Sequence, residues 1–322
     1  MSVTAPISEP RKGLTRSLLS WGILIAFVAG VEWWLGWDAL LKPWGNLTVS
    51  QLGVALGLLV ASYWLRAWRV RDYFREELTG RFLPTFRLAT LHNLMNSLLP
   101  MRAGEISFPV LMQRYFAIRP ARSIPVLLWF RLLDLHAILM IVAGAIIVGI
   151  DAPGWFWPLW LTALPLPFVI YRLRPHGVKW LESKRQANNS LANEGGRLTE
   201  KLIVALNALP SAGGPLWRAF FWTWANWLVK LAGLAWVLQA FLSMPTSAAW
   251  LGAIAGDLTT VLPIHAPGGF GTYEAGIIAA LLPFGLNAEA VAIAAINLHL
   301  FLLASSLMAG VLAWLIPVKP IR

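Results

Sequence analysis

The sequence predicts an all-α fold: a polytopic bundle of transmembrane helices with six full crossings and two re-entrant hairpins of broken helix, arranged as an inverted repeat. Two observations predict this class. The 322 residues are 58% hydrophobic and 13% charged, with a mean hydropathy of +0.64, whereas soluble domains contain about 25% charged residues. Several apolar runs also approach the ~20 residues that a helix needs to cross a bilayer.

Six apolar segments have the length and composition of full crossings. They are residues 17–37, 48–68, 123–150, 155–173, 217–242 and 288–316. The preceding residues 1–16 are hydrophilic and are predicted to form a cytoplasmic N-terminal segment, while residues 17–322 form one membrane domain. Because the first apolar run is longer than the core of a signal peptide, we expect it to remain as an anchor.

Two further apolar stretches, residues 86–116 and 247–284, are interrupted and do not fit simple crossings. The first is broken at Pro100-Met-Arg-Ala-Gly-Glu105, and the second from Pro263 onwards. Pro100, Pro263 and Pro267 are predicted helix breaks, because proline removes a helical hydrogen bond. The first piece would span only about 20 Å as a helix. We therefore expect two hairpins that each enter the membrane and return to the same side.

The positions of Lys and Arg predict which loops are cytoplasmic. Loops 66–87 and 172–218 are rich in basic residues, whereas loops 151–155 and 243–247 contain none. Cytoplasmic loops carry the excess of Lys and Arg, so both termini are predicted to face the cytoplasm, at a bacterial inner membrane. The net charge of +11 is explained by these loops, and nucleic acid is not a predicted partner.

The order crossing, hairpin, crossing occurs twice, in residues 48–150 and 217–316. The first hairpin is predicted to enter from the cytoplasm and the second from outside, so the two halves form an inverted repeat. This plan is typical of transporters that bind their substrate near the bilayer midplane, between broken helices. The halves are joined by segment 155–173 and the cytoplasmic loop 174–215, whose polar residues 182–201 are predicted to be flexible.

The first break places ionisable residues next to a predicted helix start. Arg102 and Glu105 flank the break, and a Gly-rich break before a helix can bind an anion such as phosphate. A structural alternative stays open, in which the two residues only pair with each other or cap the break. Arg131 and Asp134 lie three residues apart on one helix face, where they can neutralise each other. Further polar residues predicted to line a wet interior are His92, Asn93 and Asn96.

The second break is rich in glycine. Gly268, Gly269 and Gly271 allow a backbone or a ligand to approach closely. Glu274 follows in the next half-helix, and ionisable residues inside a membrane are candidates for function. His265 could titrate near neutral pH or serve as a hydrogen-bonded structural residue. The other candidates for the same cavity are Asp257, Asn297 and His299.

Several kinds of chemistry are excluded or not predicted. The sequence has no cysteine, which excludes disulfides, thiol catalysis and cysteine metal sites. It has no His-Glu-x-x-His spacing, no P-loop and no dinucleotide-binding fingerprint. We therefore expect no metal and no cofactor, and we do not expect a nucleotide-driven pump.

Two motifs carry a resemblance to a known family: Leu99-Pro-Met-Arg-Ala-Gly-Glu105 followed by Arg131 and Asp134, and Pro267-Gly-Gly-Phe-Gly-Thr-Tyr-Glu274. They resemble the flippase-like family named for the transmembrane region of lysylphosphatidylglycerol synthase, over most of the chain. The resemblance implies lipid translocation. In two-part members this region moves aminoacylated phosphatidylglycerol while a soluble domain attaches the amino acid, and relatives are implicated in handling hopanoids or polyprenyl-linked lipids. No segment between the predicted crossings is long enough for that soluble domain.

A lipid flippase, not an enzyme, is therefore the leading expectation. A phospholipid head group, or that of a polyprenyl or hopanoid-type lipid, would occupy a central polar cavity while one half rocks against the other. Expected partners are membrane lipids, above all anionic phospholipids, a cytosolic lipid-modifying synthase and further copies of the chain. Two alternatives stay open: an intramembrane enzyme with Glu274, His265 and Asp257 as acid and base, and a small-solute transporter.

Overall fold

A computed structural model describes residues 22, 25–149, 152–187, 194–207, 213–260 and 267–318. Every regular element within these ranges is a helix, and the same ranges contain no strand. The predicted all-α class is therefore confirmed. Many large apolar side chains of the long helices are exposed, among them Val60, Leu139 and Val311, as expected for a protein whose solvent is lipid.

Three short helical pieces come first in the part of the chain that the structure describes. They are α1 (Ile25–Trp34), α2 (Trp37–Leu41) and a 3-10 turn (Lys42–Asn46). Gly36 lies between α1 and α2 with a φ of 74°, a left-handed conformation that glycine adopts without strain. Of the predicted crossing 17–37, residues 17–21, 23 and 24 lie outside the described part of the chain.

Helix α3 (Val49–Tyr73) begins at a capping box formed by Thr48 and Gln51, which satisfies two free N–H groups at the helix start. It continues past the predicted end of its crossing. The prediction of a basic loop from residue 66 is therefore wrong at its start, because Arg66 and Arg69 lie on α3 and Arg69 is buried. The cation of Arg69 is therefore inside the protein rather than in water.

The first predicted hairpin consists of two helices and a break. Helix α4 (Phe82–Leu98) leads into a 3-10 segment (Pro100–Ile106), and α5 (Ser107–Phe116) follows. Gly104 approaches α4 so closely that an added Cβ would lie 2.4 Å from the backbone nitrogen of Asn96. Only glycine fits at such a contact, so the Pro-x-x-x-Gly sequence both breaks the helix and lets it fold back.

Helix α6 (Pro120–Gly149) has 30 residues. It is followed by α7 (Phe156–Ala163) and α8 (Leu166–Ala187), which are bent by 47° relative to each other. Helix α9 (Glu194–Asn207) packs on α6 and α8. The prediction of a flexible loop over residues 182–201 is therefore wrong within the described residues, because α8 and α9 occupy most of it. The buried side chain of Ile203 anchors α9.

The described residues of the second half form four helices and two 3-10 turns. They are α10 (Gly213–Phe241), α11 (Thr246–Thr259), a 3-10 turn (Pro267–Gly269), α12 (Thr272–Leu281), a 3-10 turn (Leu282–Phe284) and α13 (Ala288–Trp314). Helices α10 and α11 are bent by 116° relative to each other, at a connection where Pro245 caps α11. Two helices therefore flank the predicted second break, although residues 261–266 themselves lie outside the described part.

Three described helices, α3, α6 and α13, are long and apolar enough to cross a bilayer. The bent pairs α7 with α8 and α10 with α11 meet the same criteria as pairs. The described residues thus hold three to five candidate crossings. The count of six crossings stays a prediction, and so does the depth of the two hairpins.

The helices of the two predicted halves pack in corresponding ways. Helix α3 packs on α4 and α10 on α11, while α5 packs on α6 and α12 on α13. The leading helices α3 and α10 also pack along each other, and α4 contacts α13 as α11 contacts α6. Such reciprocal contacts are what two related halves require. The opposite membrane orientation of residues 48–150 and 217–316 stays a prediction.

The second hairpin is closed by glycine packing. Gly276 on α12 lies against α11, where an added Cβ would come within 2.5 Å of Thr259 Cγ2 and 2.8 Å of the Ala255 carbonyl oxygen. Gly256 on α11 similarly faces Tyr273, with an added Cβ only 2.9 Å from Cζ. Small residues let membrane helices approach closely. Helices α11 and α12 therefore pack along each other through van der Waals contact.

Candidate functional site

The two helix breaks meet beside a central cavity. The segment Pro100–Ile106 contacts the turn Pro267–Gly269, and the adjoining cavity has a volume of about 460 Å³. Ligand pockets in proteins commonly have volumes of about 300–1,000 Å³. The predicted site residues that line the cavity are Asn93, Asn96, Glu105, Arg131, Asp134, Asp257, Gly268, Gly269 and His299. Arg66 and Lys230, which the sequence analysis did not select, line it as well.

His92 connects the two helices of the first hairpin. Ser107 Oγ donates a hydrogen bond to the Gly104 carbonyl oxygen (2.6 Å) and lies 2.9 Å from His92 Nδ1. Because the hydroxyl proton is directed at Gly104, Nδ1 of His92 donates to Ser107. Nε2 of His92 then accepts from Asn96 Nδ2 (3.1 Å) and Arg131 Nη2 (3.2 Å). His92 thus lies just behind the cavity wall, where it orients residues that line it.

Arg131 links Glu105 to Asp134. Its Nη2 lies 2.8 Å from Glu105 Oε1, and its Nη1 lies 3.4 Å from Asp134 Oδ2. The side chains of Arg131 and Glu105 are 28% and 23% exposed, whereas that of Asp134 is 9% exposed. Glu105 and Arg131 are therefore the accessible end of a chain of ion pairs that continues inward through Asp134.

Asp134 has a second, buried partner that the sequence analysis missed. Nη1 and Nη2 of Arg69 lie 2.6 and 3.3 Å from its two carboxylate oxygens. Arg69 also donates to Thr223 Oγ1 (2.9 Å), and Trp227 Nε1 donates to Asp134 Oδ1 (3.0 Å). Forked Arg–carboxylate pairs are strong, so Arg69 balances Asp134 from behind. The available signal was the three-residue spacing of Arg66 and Arg69, which places both on one helical face.

Lys230 on α10 forms the second buried ion pair. Its Nζ lies 2.5 Å from Asp257 Oδ2 and 4.9 Å from the ring centroid of Trp227. Asp257 is 2% exposed, so its charge is balanced within the protein by Lys230. A sequence signal existed here too, since Lys230 is a cation in the middle of the predicted crossing 217–242, and such residues mark functional or buried paired sites.

Arg66 lines the cavity but contacts amides instead of carboxylates. Its Nη1 donates to Asn93 Oδ1 (2.6 Å), and its Nε donates to Asn226 Oδ1 (3.2 Å). Among the described residues, no carboxylate lies within ion-pair distance of Arg66. The three carboxylates that line the cavity each pair with a different cation. Arg66 therefore provides an excess positive charge, suited to an anion.

Glu274 is turned away from the cavity, into the second hairpin. Its Oε2 accepts from the backbone N–H of Gly271 (2.8 Å), and its Oε1 lies 2.6 Å from His299 Nδ1. Both side chains are only 3% exposed. The His299 ring stacks on Tyr273, with 4.4 Å between centroids. Glu274 and Gly271 thus support the start of α12 and orient His299, which does line the cavity.

Asn297 lies outside the cavity wall. Its Nδ2 donates to the Leu40 carbonyl oxygen (2.7 Å), and its Oδ1 accepts from Trp44 Nε1 (2.6 Å). It is fully buried and joins α13 to the beginning of the chain. The remaining predicted site residues are not described: the residues Pro263 and His265, and the side chains of Pro100, Arg102 and Pro267.

One edge of the cavity is apolar and exposed. Leu128, Leu132 and Leu135 of α6 line it and are 52%, 57% and 36% exposed. Their spacing of four and three residues forms one stripe on the helix, next to Arg131. Leu202 of α9 also lines the cavity and is 45% exposed. An ionic interior therefore adjoins an open apolar margin.

Long apolar helices around a buried ionic cavity define a multi-pass membrane protein. Within the described ranges, no group of three or more His, Asp or Glu residues could hold a metal. The chain belongs to the family described as the lysylphosphatidylglycerol synthase TM region, whose model matches residues 19–310. This membership confirms the family resemblance and suggests a function connected with membrane lipids. Comparison with curated proteins found no match, and comparison with solved structures found none.

Proposed function

We propose that this protein moves a lipid between the two leaflets of a bacterial inner membrane. The head group would enter the central cavity while the acyl chains stay in the bilayer. The observation that carries the proposal is the cavity of about 460 Å³, whose ionic interior meets an exposed leucine margin. A lipid has the same division between a polar head and apolar chains. Charged residues inside a membrane commonly mark the path of a substrate or an ion.

Arg66 and Arg131 are the residues that we assign to the lipid phosphate. Arg66 carries the excess positive charge, and Arg131 is partly exposed beside it in the same cavity. Guanidinium groups offer planar, forked donors that match phosphate oxygens. When phosphate binds Arg131, Glu105 would exchange part of its ion pair and could then receive a cationic group, such as the amino acid of an aminoacylated phosphatidylglycerol.

Alternating access follows from the repeat plan. Each half contributes a helix break beside the cavity, and the segment Pro100–Ile106 of one contacts the turn Pro267–Gly269 of the other. Rocking of one half against the other would open the cavity to each leaflet in turn. The protein acts in this proposal as a transporter without a cofactor and with both termini in the cytoplasm. A cytosolic lipid-modifying synthase would supply its substrate.

The test uses purified protein in liposomes that contain phosphatidylglycerol labelled on one acyl chain. Chemical quenching of the outer leaflet reports how fast lipid from the inner leaflet becomes accessible. We expect faster exchange than in protein-free liposomes and a several-fold slower rate for Arg66→Gln. Arg75→Gln is the matched control, because Arg75 is exposed beyond the end of α3. The proposal fails if no anionic, aminoacylated or polyprenyl lipid moves faster than in empty liposomes.

One observation favours a second candidate, an enzyme that modifies lipid head groups. Oε1 of Glu274 and Nδ1 of His299 lie 2.6 Å apart in a buried pair next to the cavity. A histidine that a carboxylate orients is a common general base. Such an enzyme would convert lipid instead of relocating it. Mass spectrometry of the liposome lipids after incubation distinguishes the two candidates, since a transporter leaves every lipid mass unchanged.

A further inference from the structure

A second cavity, of about 430 Å³, lies between α4, α5 and α13. It shares no lining residue with the central cavity. We refer to it as the outer groove. Its apolar wall includes Leu91, Val110 and Trp314, and its polar lining includes Arg87, Arg114 and Tyr115. No part of the proposed translocation path uses this groove.

The outer groove lies at one boundary of the membrane domain. Arg87 is near the start of α4, Arg114 is in the last turn of α5, and Trp314 is the last residue of α13. Tryptophan concentrates at the boundary between lipid and water, and Trp314 is 65% exposed. The abundance of arginine places this end on the predicted cytoplasmic side. Basic groups thus stand at the level of lipid phosphates, with an apolar wall beside them.

Arg87 and Arg114 of the outer groove can donate further hydrogen bonds to a ligand. Arg87 Nη1 donates to the Ile316 carbonyl oxygen (2.5 Å), and its guanidinium lies 5.4 Å from the Tyr115 ring centroid. Its buried Nε has no hydrogen-bond partner among the described residues. Arg114 is exposed and forms no ion pair within the described part of the chain. A buried donor without a partner is costly, so an acceptor from a ligand would complete the site.

We propose that the outer groove binds an anionic phospholipid of the cytoplasmic leaflet as a resident lipid. Its phosphate contacts Arg87 and Arg114, and one acyl chain lies along Leu91 and Val110. The charge of the groove and its apolar wall match the two parts of such a lipid. Ser107 lines the groove and also joins α5 to α4 through His92. The bound lipid therefore supports the first hairpin from its outer side.

Photocrosslinking tests the proposal. A photoreactive amino acid replaces Val110, which is 53% exposed and faces the groove. The protein is placed in vesicles of phosphatidylcholine with or without phosphatidylglycerol, and adducts are identified by mass spectrometry. We expect adducts of phosphatidylglycerol in excess over its share of the vesicle. Arg114→Gln should lower that excess about fivefold, which corresponds to the ~1 kcal/mol of one basic residue near a membrane surface.

The matched control is Arg119→Gln, which removes one exposed charge at the same end outside the groove. It should leave the adducts unchanged. Phosphatidylglycerol should also raise the unfolding temperature of the wild type more than that of Arg114→Gln. Equal labelling of phosphatidylcholine and phosphatidylglycerol, or an equal loss in both arginine variants, would overturn the proposal. Neither result bears on translocation, because Val110 and Arg114 lie outside the central cavity.

Discussion

The two hairpins differ in what holds their helices together. In the first, His92 on α4 is hydrogen-bonded to Ser107 on α5, and the break between the two helices approaches α4 at Gly104. In the second, α11 and α12 are joined by close contacts at Gly256 and Gly276. Hydrogen bonds fix individual atoms, whereas glycine packing fixes whole helix surfaces. The contact between α4 and α5 should therefore be sensitive to the loss of a polar atom, and the contact between α11 and α12 to added volume.

The carboxylates of the two hairpins, Glu105 and Glu274, also differ in their surroundings. Glu105 of the first hairpin is 23% exposed and lines the cavity. Glu274 of the second is 3% exposed and bonds to its own hairpin and to His299. The difference teaches that similar motifs in the two halves serve different purposes. In the proposed transporter, the first presents charge to a ligand, and the second builds a fixed wall.

The largest expected effect comes from the ion pairs behind the first hairpin. Asp134→Asn leaves the buried Arg69 without a carboxylate, and losing one partner of a buried ion pair costs about 3–5 kcal/mol. Unfolding of the purified protein in detergent measures this loss. Asp72→Asn is the control, because its partner Arg218 is 41% exposed and such pairs contribute about 0–1 kcal/mol. Equal losses in the two variants would contradict the assignment of Arg69 and Asp134 as a buried pair.

Exchanging the two carboxylates for amides sharpens the comparison. Glu274→Gln weakens a charged hydrogen bond to His299, and such bonds contribute about 1.5–3 kcal/mol. Glu105→Gln should change stability much less but slow lipid exchange in the liposome assay. Thermal unfolding and transport are measured on the same preparations. If Glu105→Gln is the less stable variant and Glu274→Gln alone slows transport, the division between ligand site and wall is reversed.

Added volume on α12 should destabilise its contact with α11. Gly276→Ala places a methyl group against Thr259 and the Ala255 carbonyl oxygen, and overpacking costs about 1–3 kcal/mol. Gly57→Ala on α3 is the matched control, because nothing lies within 4 Å of its added Cβ and alanine favours a helix by about 0.5–1 kcal/mol over glycine. The unfolding temperature should fall for the first variant only. An unchanged value for Gly276→Ala would remove glycine packing as the basis of this hairpin.

The smallest expected effect is the loss of one hydroxyl from the first hairpin. Ser107→Ala removes its hydrogen bond to Gly104 and its contact with His92, a net cost of about 0.5–1.5 kcal/mol. Ser107→Thr retains the hydroxyl and serves as the control. Protease accessibility near the break should rise for the alanine variant and not for the threonine variant. Identical digestion of both would show that the polar contacts do not hold the hairpin.

Local features of the sequence predicted much of the architecture. The proline and glycine residues of the two breaks interrupt apolar runs, and helices flank both positions. The pairing of Arg131 with Asp134 could be predicted because residues three apart share a helix face. The polar residues of α4 were likewise on one face, and Asn93 and Asn96 reach the cavity. Each of these inferences needed only a short window of sequence.

Contacts between distant segments could not be predicted in that way. Arg69 and Asp134 are separated by 65 residues, and Arg66 and Asn226 by 160. Arg66 and Arg69 were assigned to a loop because arginine in water and arginine in a buried pair have the same local sequence pattern. The direction of Glu274 depends on His299, which lies on another helix. These contacts and side-chain directions depend on how distant helices pack, which the spacing of residues in the sequence does not determine.

The contact of Trp44 with Asn297 has a consequence for biosynthesis. These partners are separated by 253 residues, which a ribosome translates in about 10–50 s at 5–20 residues per second. During that interval Asn297, which bonds to Trp44 and to the Leu40 carbonyl oxygen in the finished fold, is still missing. We therefore expect the nascent chain to complete its bundle only after the last helix has left the translocon, and truncation before Asn297 to leave the first segment exposed to membrane proteases.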